Sequence, residues 1–166
     1  MTSTAANPAR SRSGPRVGEE ARIAELRAAN INPGTGLATD YLNHFNEAIM
    51  LLEMIPDLPE CAEDFLAWRP LSYAEHFAAS NFKARDLAIA AYQSADTRVR
   101  AEFDSITAAM TAILSAVGEA MRQARQEKTR SRLAEQATGW VKPLLMQAGG
   151  TINGGTESDV EYIMTH

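Results

Sequence analysis

Residues 97–124 read TRVRAEFDSITAAMTAILSAVGEAMRQA, and this stretch decides the fold. Asp96 and Thr97 supply a helix cap at its start. Beyond them Val99, Phe103, Ile106, Met110, Ile113, Val117, Ala120 and Ala124 recur at alternating spacings of four and three. A strand repeats every second residue, so this period belongs to a long helix with a heptad seam. Gly118 weakens it slightly. The seam reads as one wall of an intramolecular bundle core. A dimeric coiled coil, and hence a homodimer, is the second reading, and the flanking Arg100, Glu102 and Ala109 are too mixed to separate the two.

The neighbouring stretches supply helices to meet that seam. Tyr41, Phe45, Ala48, Leu52 and Ile55 share one stripe, with Thr39 as the expected cap and Pro56 as the stop. Asp57 is the expected cap of a short helix that buries Cys61, Phe65, Leu66 and Trp68. Ser72 and Glu75 have the spacing of a capping box. The helix that follows carries Tyr73, Phe77, Ala84, Leu87, Ala88 and Ala91, with an interruption expected at Ser80-Asn81. Leu133, Ala137 and Trp140 restore an apolar face after residues 122–132, and Pro143 is expected to end or kink that helix. The expected fold is all-α, a helical bundle of about four to six helices.

The bundle is expected over residues 18–147. Residues 1–17 read as a disordered arm, with Arg10, Arg12 and Arg16 and almost no large apolar side chain to offset ordering entropy. An acid-free, Arg- and Ser-rich start also has the composition of a transit peptide, although Pro8, Gly14 and Pro15 spoil an amphipathic helix. Residues 18–30 form a short helix that Asn30 to Gly36 breaks. Residues 148–166 read as a Gly-rich linker, with Gly149, Gly150, Gly154 and Gly155, followed by a short carboxyl-terminal segment.

Composition narrows the function classes. The chain has 166 residues and a formal charge of −5, so general coating of nucleic acid is not expected. One cysteine, Cys61, excludes an internal disulfide. No apolar run approaches the length of a membrane span, and no secretory signal is present, which points to the cytoplasm.

Catalytic motifs are missing. There is no nucleophile elbow, no phosphate-binding loop and no dinucleotide fingerprint. No cofactor is expected. Cys61 sits among Glu60, Glu63 and Asp64, which disfavour a thiolate. His44 and Glu47 are three apart on a helix and can point to one place, as metal ligands do. A di-iron bundle, however, needs Glu before His on two helices. His76 stands on a helix as a phosphoryl acceptor would, but Phe77, Ala78 and Ala79 follow it where such sites carry Lys and Gly.

Charge and tail patterning favour partner binding instead. Residues 37–68 hold seven acids and no Lys or Arg, while Arg122, Arg125, Lys128, Arg130 and Arg132 form a basic run opposed only by Glu127. The two patches suit pairing within the fold or between subunits; contact with RNA or DNA is the weaker reading of the basic run. Met50 and Met54 fall on an otherwise polar helix face. Val160, Tyr162, Ile163 and Met164 belong to a tethered acidic segment that either docks in a partner's groove or packs back on its own bundle or frays. The expected function is a non-enzymatic protein-interaction or regulatory bundle. The alternative is a ligand-, metal- or phosphoryl-accepting bundle using His44 or His76.

Overall fold

A computed structural model describes the backbone of residues 8–81 and 83–154, with side chains from Val17 onward. Seven α-helices fill it: α1 (Pro8–Ala28), α2 (Leu42–Met54), α3 (Cys61–Ala67), α4 (Tyr73–Ala79), α5 (Arg85–Gln93), α6 (Thr97–Gln123) and α7 (Glu127–Ile152). The described residues hold no strand beyond one bridging pair, Ile31 with Ala38. No described helix is long and apolar enough to cross a membrane. The fold is therefore all-α, as expected, with seven helices where four to six were expected. The Ser80 interruption makes two helices, α4 and α5, from one apolar stretch.

The long helices α6 and α7 form a hairpin through Ala124 to Gln126. α2 packs on α7, and α3 wedges against α2 and α6. Phe45, Phe103, Leu52, Met110, Leu114 and Met121 are fully buried where these elements meet.

The α6 seam differs from its sequence reading. The buried stripe is Phe103, Thr107, Met110, Leu114, Val117 and Met121. Ile106, Ile113 and Ala120 are only half-buried. Both stripes keep the same alternating spacing, so periodicity alone does not separate them. The α3 and α7 contacts select the one that carries Leu114 and Met121.

Several ends also move. α1 begins at Pro8, ten residues before the helix expected at 18, and ends in a left-handed Asn30 (φ 60°). There Ile31 N–H reaches Leu26 O at 2.9 Å and Asn30 N–H reaches Arg27 O at 3.0 Å, the double bond of a Schellman cap. Thr39 does not cap α2, which starts instead through a 3-10 turn at Thr39–Tyr41, and Asp57 does not cap α3. Pro143 neither ends nor interrupts α7. Gly139, whose carbonyl loses its partner to the proline, is solvent-exposed, so water can take that bond.

The expected linker at 148 is helical as far as Ile152, and Ala148, Thr151 and Ile152 are buried. Tertiary packing overrides glycine's low helix propensity here. Leu42 closes on Gly149, and the Thr35 hydroxyl donates to Ile152 O at 2.7 Å. The Thr35 turn itself requires Gly36. Its φ is +74°, and a Cβ there would lie 2.7 Å from the Ala91 carbonyl oxygen.

Two capping expectations are met. Asp96 accepts from Arg98 N and Val99 N at 2.9 and 3.2 Å. Ser72 Oγ accepts from Glu75 N at 3.1 Å while Glu75 Oε1 accepts from Ser72 N at 2.8 Å. Ser72→Ala should cost about 1 kcal/mol in urea unfolding; an unchanged midpoint would show that water replaces the box.

Candidate functional site

The sequence-selected histidines meet. His44 on α2 and His76 on α4 have ring centroids 6.0 Å apart, within an aromatic cluster built from Tyr41, Phe45, Trp68, Tyr73 and Phe77. Helical period explains the placement. Tyr41, His44 and Phe45 lie on the inward side of the 3-10 turn and α2, while Glu47 faces solvent. Glu47 thus does not join His44. Among the described residues no group of three or more His, Cys, Asp or Glu is arranged to hold a metal ion.

Both histidines already have protein partners. His44 Nε2 accepts from Leu71 N–H at 2.9 Å, and Trp68 stacks on its ring with centroids 4.6 Å apart. Burial, and then the neighbouring His76, push its pKa down to about 4, so at neutral pH it is an uncharged acceptor. His76 Nε2 lies 3.0 Å from Asp40 Oδ2. The Tyr41 hydroxyl donates to Leu71 O at 2.7 Å. Leu71 is therefore latched through both of its backbone groups, which fixes the segment between α3 and α4.

That segment walls a cavity of about 480 Å³, completed by Tyr41, Tyr73, Tyr92, Asp104, Thr107, Ala108, Thr111 and Ala112. The Tyr92 hydroxyl donates to Asp104 Oδ1 at 2.6 Å. Burial raises Tyr41 and Tyr73 to about 12, Asp104 and Glu75 adding to the first and Asp40 to the second. Burial raises Tyr92 as well, and its bond to Asp104 adds to that. All three phenols stay protonated at neutral pH. The cavity wall thus carries neutral hydroxyls and one carboxylate.

Sequence reading assigned Tyr41 and Tyr73 to apolar helix faces and singled out neither Tyr92 nor Asp104. Periodicity carries no signal for their meeting. Tyr92 and Asp104 stand on different helices, and Leu71 lies 27 residues from His44.

The two charge patches meet in part, at Arg130, whose Nη1 lies 3.4 Å from Glu63; Lys142, outside the basic run, lies 3.0 Å from Glu53. Arg130 also donates through Nε to Met121 O and Ala124 O, satisfying carbonyls at the end of α6. Arg122 donates to Leu66 O at 3.1 Å. Arg125, Lys128 and Arg132 are exposed. Cys61 is buried, and burial together with Glu60 and Asp64 raises its pKa, the state of an unreactive thiol.

Met50 and Met54 are 62% and 40% exposed on the outside of α2. Val160, Tyr162, Ile163 and Met164 lie outside the described residues. A different apolar surface is evident where α6 meets α7. Ala112, Ile113, Ala116, Val117, Ala120, Leu133 and Trp140 line an open groove of about 380 Å³. Trp140, read from sequence as part of an apolar core face, is 56% exposed there. Residues 105–118 contain no charged side chain, and Ser105, Ala108, Ala112, Ser115 and Ala116 face solvent along that length.

No protein-family model, curated protein or solved structure matches this chain.

Proposed function

We propose that this chain is a non-enzymatic interaction protein whose recognition surface is the uncharged outer face of α6 together with the groove at Trp140. The observation that carries the reading is Trp140, a large aromatic side chain left 56% exposed over a wholly apolar groove. Contiguous exposed apolar surface beside a tryptophan is the composition of an interface centre, where aromatic anchors dominate binding energy.

A second copy of the chain is the occupant that fits best. Ala108, Ala112 and Ala116 present small side chains that let another helix approach closely, and α6 is itself such a helix. A two-fold axis near Ala112 makes the contact self-complementary, the commonest form of a homo-oligomer. Despite the net charge of −5, the face from residue 105 to 118 brings no like charges together. The exposed methionines of α2, the exposed bases Arg125, Lys128 and Arg132, and the carboxyl-terminal segment then remain for further protein partners.

Sedimentation velocity tests this directly. The wild-type chain should sediment at twice the 18.1 kDa chain mass. Trp140→Glu and Ala112→Arg should sediment at the single-chain mass with unchanged helicity. A photocrosslinker at Ile113, used in a lysate of the native host, separates the remaining outcomes. A monomeric wild type that crosslinks a different protein keeps the interaction reading and removes the second copy. A monomer that crosslinks nothing overturns both.

A further inference from the structure

We infer that the cavity between the Leu71 segment and α6 is a binding site for a small organic primary amine, with Asp104 as the counter-ion. Its volume of about 480 Å³ lies in the range of small-molecule sites. Asp104 is half-buried at its edge, and one carboxylate oxygen is held by the Tyr92 hydroxyl at 2.6 Å. Among the described residues no cation stands within ion-pair distance of Asp104; the four pairs found join His76 to Asp40, Arg122 to Glu119, Arg130 to Glu63 and Lys142 to Glu53.

Arg100 donates to Gln93 O at 2.9 Å and lies over the Tyr92 ring. Among the described residues no Lys or Arg lines the cavity; Asp104 and Glu75 act electrostatically on Tyr41 and Arg100 acts in the opposite sense on Tyr92, so the one charge on the cavity wall is the Asp104 carboxylate, which favours a cation.

The aromatic geometry chooses among cations. Tyr92 has Tyr73 stacked on one ring at 4.4 Å, and Arg100 also lies over its ring, at 5.8 Å. Tyr41 is surrounded by Phe45, Tyr73, His76 and Phe103. With the rings so engaged, an aromatic cage for a quaternary ammonium is not offered. A primary ammonium instead brings N–H donors, which suit the Asp104 carboxylate. Ala108, Ala112 and Pro70 supply the apolar wall for its carbon skeleton. The site borders the proposed α6 contact and shares Ala108 and Ala112 with it, whereas Asp104 and Tyr92 lie outside that contact, so the effect of Asp104→Asn on amine binding is read independently of self-association.

The test uses the full chain, titrated with 2-phenylethylamine, 2-phenylethanol, 3-phenylpropionate and phenyltrimethylammonium, and followed by amide chemical shifts. The amine should bind near about 1 mM, as its size allows, and should move the Asp104, Thr107 and Thr111 amides. Asp104→Asn should weaken it by at least about tenfold while leaving 2-phenylethanol unchanged. Thr111→Leu, which fills the cavity and keeps the carboxylate, should abolish both. Equal affinity for all four probes, shifts confined to other surfaces, or an amine affinity unmoved by both variants would overturn the inference.

Discussion

Replacing Phe103 by alanine should lower the unfolding free energy by about 3–5 kcal/mol. Phe103 is fully buried, and its ring centroid lies 6.1 Å from those of both Tyr41 and Tyr73. Removing it opens a void where α6, the 3-10 turn and α4 converge, and the Tyr41 and Tyr73 rings are held by hydrogen bonds that resist collapse into it. Ile113→Ala is the informative comparison. Both residues belong to the seam read from sequence, yet Ile113 is half-buried on the groove side. Its truncation should cost about 1 kcal/mol, in line with partial burial. Urea unfolding with an unchanged slope would measure both. Equal losses at the two sites would mean that the buried stripe is the one sequence periodicity first suggests.

Acidification should destabilise the fold through His44. An unfolded histidine titrates near about 6.5, whereas burial and His76 hold this one down at about 4 in the native state. Between those values the unfolded chain takes up a proton that the native chain refuses. Stability therefore rises with pH across this window. The contribution is complete above about pH 6.5 and is lost as pH falls toward 4, with a total of about 3 kcal/mol. Protonation would also turn Nε2 from an acceptor into a donor facing Leu71 N–H, releasing one half of the latch. Urea midpoints of the wild type and His44→Gln at pH 7.5, 6 and 5 provide the measurement. The wild type should lose stability more steeply; parallel pH profiles would sink the assignment.

The histidines also show how much of the site was legible. His44 and His76 stood out because they are rare, and the structure does bring them together. Their expected companions did not follow. Glu47 shares a helix with His44 but faces water, while the groups that complete the site come from the Leu71 segment, α5 and α6. Side-chain type reveals which groups are able to do chemistry; it carries no information on which distant segments will face them. The same holds for Gly149 and Gly150. Their composition reads as linker, and only the approach of Leu42 and the Thr35 hydroxyl bond to Ile152 makes that turn of helix worth forming.

What the sequence determined by itself was local. Apolar spacing set the helical class, Ser72 and Asp96 started α4 and α6 because their side chains reach their own backbone, and Ser80-Asn81 divided α4 from α5. Each of these depends on atoms a few residues apart. The tertiary structure decided which of two equally periodic α6 stripes is buried, how far α7 runs, and that Tyr41 and His44 hold Leu71 beside Tyr92 and Asp104. Those outcomes depend on contacts between segments remote in the chain, whose free energy exceeds the small local preferences they override.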